Sequence, residues 1–227
     1  MDNNKNAHER ELAQIEAVPL FARLPAQAKE ALLCQARKRV YAKGAIVINE
    51  GDAAHGLFIV CSGLLKACLN DDQGRELVLS THGPGDHFGE LALLDGAPRS
   101  ANVAALEPSE LLIISKDAFH AVLQDHPDCM WAIVHCLVER VRDLTENVRA
   151  LALVDVFGRL ARLLTGLSAD EDGVQVIRPR PTQQDIANRI GASREMVSRI
   201  LKELVFGGFL SLESDRIVVH RKFPSRW

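Results

Sequence analysis

The sequence predicts an α+β chain of three parts: an N-terminal antiparallel β-roll, one long helix, and a C-terminal winged helix-turn-helix. Three observations predict it. Short β-type runs separated by glycine occupy residues 39–114; no Gly or Pro interrupts residues 128–156; and two helical periodicities flank Gly191 within residues 182–205.

At 227 residues the chain has room for two modest domains, each with its own core. Hydrophobic residues make up 47% and charged residues 25%, which excludes a disordered chain. No run of about 18 apolar residues exists, and the first residues, MDNNKNAHERELAQIEA, are polar and acidic. A cytoplasmic protein with no membrane partner is expected. The five cysteines, Cys34, Cys61, Cys68, Cys129 and Cys136, contain no CxxC pair and are odd in number. They read as buried small hydrophobes rather than a disulfide framework or a metal site.

Charge is unevenly distributed. Residues 1–177 carry 25 acidic against 17 basic side chains, whereas residues 178–227 carry 10 basic against 5 acidic. A local basic segment on an acidic chain is the electrostatic footprint of a nucleic-acid reader, because phosphate neutralisation releases counterions.

In the first half the runs AIVI, LFIVCSG, LLKACL, ELVLST and ELLIIS are too short for helices and rich in branched aliphatics. Glycine turns between them, as in NEGD and NDDQG, favour an antiparallel barrel or roll. An amphipathic helical stretch from Glu9 to Arg37, broken at Pro25, precedes the roll. Beyond Pro127, Met130, Leu137, Leu144 and Leu151 recur every seven residues, with Ile133, Val141 and Val148 interleaved. That heptad stripe predicts a coiled-coil dimer helix and hence a homodimer. Between the long helix and the last segment, SADEDGVQVIRPRP reads as a turn and hairpin.

In residues 182–205 Thr182 is placed to cap a first helix and Ser193 a second, with Gly191 in the tight turn between them. Ala187 falls where the helices approach, and Val197 locks one onto the other. If Val197, Ile200, Leu201 and Leu204 are buried, the opposite face displays Arg194, Glu195, Ser198, Arg199 and Lys202. Arginine grips guanine O6 and N7 as a fork and glutamate accepts from the cytosine amino group, so this face suits double-stranded DNA read in the major groove. Thr182, Gln183 and Ser193 complete the expected DNA-contacting set. The FLSLESDRIVVHR that follows supplies two strands around an ESDR turn, the wing.

The passage FGELALLDGAPRSANVAA, residues 88–105, carries the other chemistry. Gly89 lets the backbone approach a ligand, and Glu90 offers an acceptor for a sugar hydroxyl. Ten residues after Gly89, Arg99 and Ser100 supply a charge-assisted fork and a hydroxyl, a pair suited to phosphate. A phosphorylated sugar fits this set.

Over essentially its whole length the chain resembles the Crp/Fnr family of transcription regulators. The resemblance rests on VINEGDAAHGLFIVCSG (residues 47–63), on FGELALLDGAPRSANVAA, on the long helix with LVDVFGRLARLL, and on ASREMVSRILKEL, in that order. It implies that the roll binds a cyclic nucleotide, cyclic AMP or a relative, as an effector. Gly89, Glu90 and Leu91 would lie at the ribose, Arg99 and Ser100 at the cyclic phosphate, Arg140 would help close the site, and Thr145 would reach the base from the partner subunit. Leu144 stands where the cyclic-AMP pattern has a hydroxyl residue. For DNA, Arg194, Glu195 and Arg199 match the family's base-reading positions, which implies a palindrome with half-sites similar to TGTGA.

The expected division is an effector-binding roll with N-terminal helices at 1–126, a dimerisation helix at 127–156 and the DNA-binding domain at 157–227. The expected function is a ligand-gated transcription regulator with RNA polymerase as a further partner. The competing expectations are the same regulator gated by cyclic di-GMP or by nothing, and a cyclic-nucleotide subunit acting on a protein. An enzyme is disfavoured: His82 and His87 flank a glycine pair without a third ligand or nucleophile, so neither metal nor haem is expected.

Overall fold

The computed structural model describes residues 2–224. The chain forms two compact units, one of residues 1–69 with 79–142, the other of residues 70–78 with 143–227. The first unit opens with α1 (Asp2–Ala17), a 3-10 turn (Pro19–Phe21) and α2 (Ala26–Gln35). The helical stretch therefore breaks at Pro19 as well as at Pro25, because a proline pushes the residue before it out of the helical region; Val18 sits at φ −73, ψ 119.

Eight strands follow: β1 (Arg37–Tyr41), β2 (Ile46–Ile48), β3 (Gly56–Ser62), β4 (Leu65–Asn70), β5 (Glu76–His82), β6 (His87–Phe88), β7 (Asn102–Ala105) and β8 (Ser109–Ser115). They make two four-stranded sheets, ordered β1-β8-β3-β6 and β2-β7-β4-β5. The apolar run of β3 is explained by burial on both of its faces. Phe58 and Val60 join Ile48, Leu65, Ala67, Phe88, Val103 and Leu111 in the core between the sheets. Leu57 and Ile59, pointing the other way by the period of two, pack with Leu112 and Ile114 against the helices at Ile15, Phe21, Leu32 and Phe119. The short helix α3 (Leu91–Leu94) interrupts the strands after β6, and α4 (Lys116–Asp125), capped by Ser115, closes the roll.

The long helix α5 runs Cys129–Leu153. Val134, Val138, Val141, Leu144 and Val148 are exposed along one side, Val141 by 62%. Ile133 differs: it is 3% exposed and packs in the helix-side core of its own unit. The physical reason is the 3.6-residue turn, which puts position 133 a full step round from 134 and onto the face that meets the roll. The cysteine expectation is corrected too. Cys68 and Cys129 are buried, Cys61 and Cys136 are half-buried, and Cys34 is exposed, on the side of α2 opposite Lys29, Leu32 and Leu33.

In the second unit Asp155 ends the uninterrupted helical segment by starting another helix, accepting from the Gly158 amide at 2.7 Å to cap α6 (Val156–Leu167). Then come β9 (Ala169–Glu171), β10 (Val174–Ile177), α7 (Gln183–Ile190), α8 (Arg194–Phe206), β11 (Leu210–Leu212) and β12 (Ile217–Val219), whose four strands pair in the order β11-β12-β10-β9. One core of Phe157, Leu160, Leu164, Ile186, Ala187, Val197, Ile200, Leu201, Leu204 and Ile217 holds helices and wing together. No helix among the described residues is long and apolar enough to cross a membrane.

Candidate functional site

A concavity in the first unit is lined by Gly89, Glu90, Leu91, Arg99, Ser100 and Arg140, so six of the expected ligand residues share one space. Thr145 lies five residues beyond Arg140 on α5, on an exposed stretch, and is not part of this lining.

Arg99 is the organising residue. Its backbone is tied to the turn after β2, donating to the Asp52 carbonyl at 2.9 Å and accepting from the Gly51 amide at 2.8 Å. Its guanidinium is only 7% exposed as a residue and donates to the carbonyls of Gly89 at 2.6 Å and Gly56 at 2.8 Å, over the face of Phe58. Position 89 favours glycine by its backbone conformation. Its φ is +88, and a Cβ there would lie 2.6 Å from Arg99 Nη1. Ser100, next to this cation, is exposed.

Glu90 is buried and Arg140 reaches it from α5, donating Nη1 to Oε1 at 3.2 Å. The second carboxylate oxygen, Oε2, is buried and has no hydrogen-bond partner. A buried acceptor without a partner costs roughly 1–3 kcal/mol, so the wall carries an unmet demand for a donor. Fixed cation, exposed hydroxyl and open acceptor together can hold an anion joined to a hydroxyl-bearing ring.

One wall residue escaped the sequence reading in this role. His82, considered there only as a metal ligand, ends β5 and lines the same space. Burial, then the neighbouring Arg140 charge, pushes its pKa down to about 4, so it is neutral near pH 7. No local sequence signal distinguishes a pocket histidine from a core one. Among the described residues no three His, Cys, Asp or Glu side chains gather as a metal site.

The second candidate surface is the helix pair. Thr182 caps α7 in a reciprocal box with Asp185, Gly191 ends it at φ +60, and Ser193 caps α8 by accepting from the Met196 amide at 3.2 Å. Both hydroxyls are thus engaged in shaping the turn. With Val197, Ile200, Leu201 and Leu204 buried, α8 leaves Arg194, Glu195, Arg199 and Lys202 exposed and Ser198 half-exposed; Gln183 begins α7, also half-exposed. The charged face expected from periodicity is present as a surface. Arg159 has no counterpart in the sequence reading: its guanidinium donates to the carbonyls of Val154 at 2.7 Å and Ile190 at 2.8 Å, joining the ends of two helices.

Comparison with known proteins assigns both parts of the chain to known domain families. Residues 38–126 match the family model of the cyclic nucleotide-binding domain, and residues 158–222 that of the Crp-like helix-turn-helix domain. The chain is 33% identical over 198 residues to the cAMP-activated global transcriptional regulator Vfr of Pseudomonas aeruginosa, covering 83% of this chain and 91% of that one. It is 29% identical over 204 residues to the CRP-like cAMP-activated global transcriptional regulator of Mycobacterium tuberculosis, covering 88% and 91%. Among solved structures it is similar to the c-di-GMP responsive global regulator CLP of Xanthomonas campestris, with a TM-score of 0.77 and 30% identity over 87% of this chain and 100% of that one.

Proposed function

Since the chain belongs to the Crp/Fnr family of transcription regulators, we propose that it is a homodimeric DNA-binding regulator gated by a cyclic mononucleotide, cyclic AMP or a close relative. The observation that carries the effector half is the buried, unpartnered Oε2 of Glu90 beside Arg99 and Ser100. Arg99 and Ser100 hold the cyclic phosphate, Glu90 with Gly89 and Leu91 meets the ribose, and Arg140 closes the space from α5. Thr145 of the partner subunit reaches the base. The relatives divide on the effector, cyclic AMP for some and cyclic di-GMP for another. The single anion grip favours the mononucleotide; cyclic di-GMP, with two phosphates, is the second reading.

The exposed apolar side of α5 is the homodimer seam, since paired helices bury such a stripe without further cost. Arg194, Glu195, Ser198, Arg199 and Lys202 read base edges, and Thr182, Gln183 and Ser193 face the phosphates of a palindrome with TGTGA-like half-sites. The domains divide at 1–126, 127–156 and 157–227, and the protein acts on double-stranded DNA in the cytoplasm with RNA polymerase as partner. Gating is a population shift: a ligand that contacts both the roll and α5 favours one arrangement of the helices, and half-sites a helical turn apart demand that arrangement. Coupling of this kind amounts to ~1–3 kcal/mol.

The test is calorimetric titration with cyclic AMP, cyclic GMP and cyclic di-GMP, each followed by a mobility shift on a TGTGA palindrome. Tight binding of a mononucleotide with raised DNA affinity is expected, and its loss in Arg99→Leu with a cooperative thermal transition retained. DNA binding indifferent to all three nucleotides overturns the gating.

A further inference from the structure

The four strands of the second sheet each send one residue to the pocket: Ile48 from β2, Val103 from β7, Ala67 from β4 and His82 from β5. The sheet order is β2-β7-β4-β5, so this wall is apolar across three strands and polar at the last. Arg99 and Ser100 lie in the turn that leads, through Ala101, into β7. β7 and β5 are two strand steps apart in this sheet, so His82 stands on the strand of the wall away from the anion grip.

His82 is held in place. It is 6% exposed, its ring lies tilted against Phe88 at 5.3 Å, and Nε2 is 3.2 Å from Ser80 Oγ. The other ring nitrogen has no hydrogen bond from the described residues. We infer that His82 is a specificity-determining residue, whose imidazole hydrogen-bonds the heterocyclic base of the bound cyclic nucleotide. The inference rests on the effector reading above and adds to it the group that discriminates between bases.

The charges around the ring agree with a base rather than a second phosphate as its target. Arg140 and His87 oppose protonation, Asp86 favours it, and burial outweighs them all, so the ring is neutral near pH 7 and offers a donor or an acceptor but no charge. A neutral group there distinguishes an amino from a carbonyl substituent, because the wrong partner leaves a buried polar atom unmet.

The experiment titrates wild type, His82→Leu and His82→Gln, all full-length, with cyclic AMP and cyclic GMP, with a thermal melt of each. Wild type is expected to prefer one nucleotide. His82→Leu is expected to weaken that nucleotide about tenfold, the value of one hydrogen bond in a dry site, and to narrow the preference; His82→Gln is expected to restore part of it. An unaltered affinity ratio in His82→Leu overturns the inference alone, and so does an equal loss for both nucleotides accompanied by a lowered melting temperature. A wild type that binds both nucleotides equally also overturns it, whereas a wild type that binds neither overturns the effector reading and this inference with it.

Discussion

Arg140 donates to Glu90 at 3.2 Å, but the contact holds only one carboxylate oxygen; Oε2 is left buried and unpartnered. Replacing Glu90 by Gln keeps the shape of the side chain while removing the charge and one acceptor. Titration of Glu90→Gln with cyclic AMP is expected to show at least a tenfold loss of affinity, since a hydrogen bond to a charged group contributes ~1.5–3 kcal/mol. Its melting temperature without ligand is expected to fall little, because part of what is lost was already uncompensated. Unchanged affinity would remove Glu90 from the ribose contact.

Val141 and Val148 both point outward from α5, exposed by 62% and 63%. In Val141→Glu/Val148→Glu the charges would be buried in a paired seam but solvated on a lone helix. Sedimentation equilibrium is expected to give a monomer with the far-ultraviolet circular dichroism of the wild type, and binding to the palindrome is expected to drop at least a hundredfold. A double variant that remains dimeric would place the interface elsewhere.

Arg159 gathers carbonyls from Val154, Ile190 and Gly191, at 2.7, 2.8 and 3.4 Å. A cation at the C-terminal ends of helices also meets their dipoles favourably. Arg159→Met keeps the aliphatic stem and loses the donors. Urea unfolding is expected to show the variant less stable by about 2 kcal/mol, with weaker DNA binding because the turn at Gly191 is no longer tied down. Wild-type stability would mean that water replaces the guanidinium without loss.

His82 ionises at about 4 in the folded chain, against 6.5 as its ordinary value, and burial pushes His87 in the same direction. The unfolded chain therefore binds protons in a range where the folded chain does not. Stability from these residues is fully present above about pH 6.5 and is lost as pH falls from there toward 4. His82 alone accounts for roughly 3 kcal/mol across that window. Urea midpoints measured at pH 7 and pH 4.5 are expected to differ less in His82→Leu than in wild type; equal differences would show that the histidine is not held neutral.

The elements legible in sequence are those whose signals are local. Thr182, Asp185, Gly191 and Ser193 act within three or four residues of themselves, and Val197, Ile200, Leu201 and Leu204 repeat with the helix turn, so α7 and α8 follow from the chain read in order. Short runs of branched aliphatics likewise announce β3 and β8, though α3, α4 and β7 carry weaker patterns and do not stand out as separate elements. Gly89, Glu90, Arg99 and Ser100 were legible as a phosphate-and-sugar set because they lie within one short passage.

Tertiary structure decided what depends on residues far apart in the chain. The amphipathic stripe of α5 announces an apolar side, but only packing shows that Ile133 turns into the helix-side core while Val134, one residue further round, stays outside. The pocket wall draws Ile48, Ala67, His82 and Val103 from four strands whose order in space is not their order in sequence, and Arg159 meets Ile190 across 31 residues. Local hydrogen bonding and periodicity are written into consecutive residues; burial, and with it the neutral state of His82 and the open oxygen of Glu90, exists only once separate strands enclose the same space.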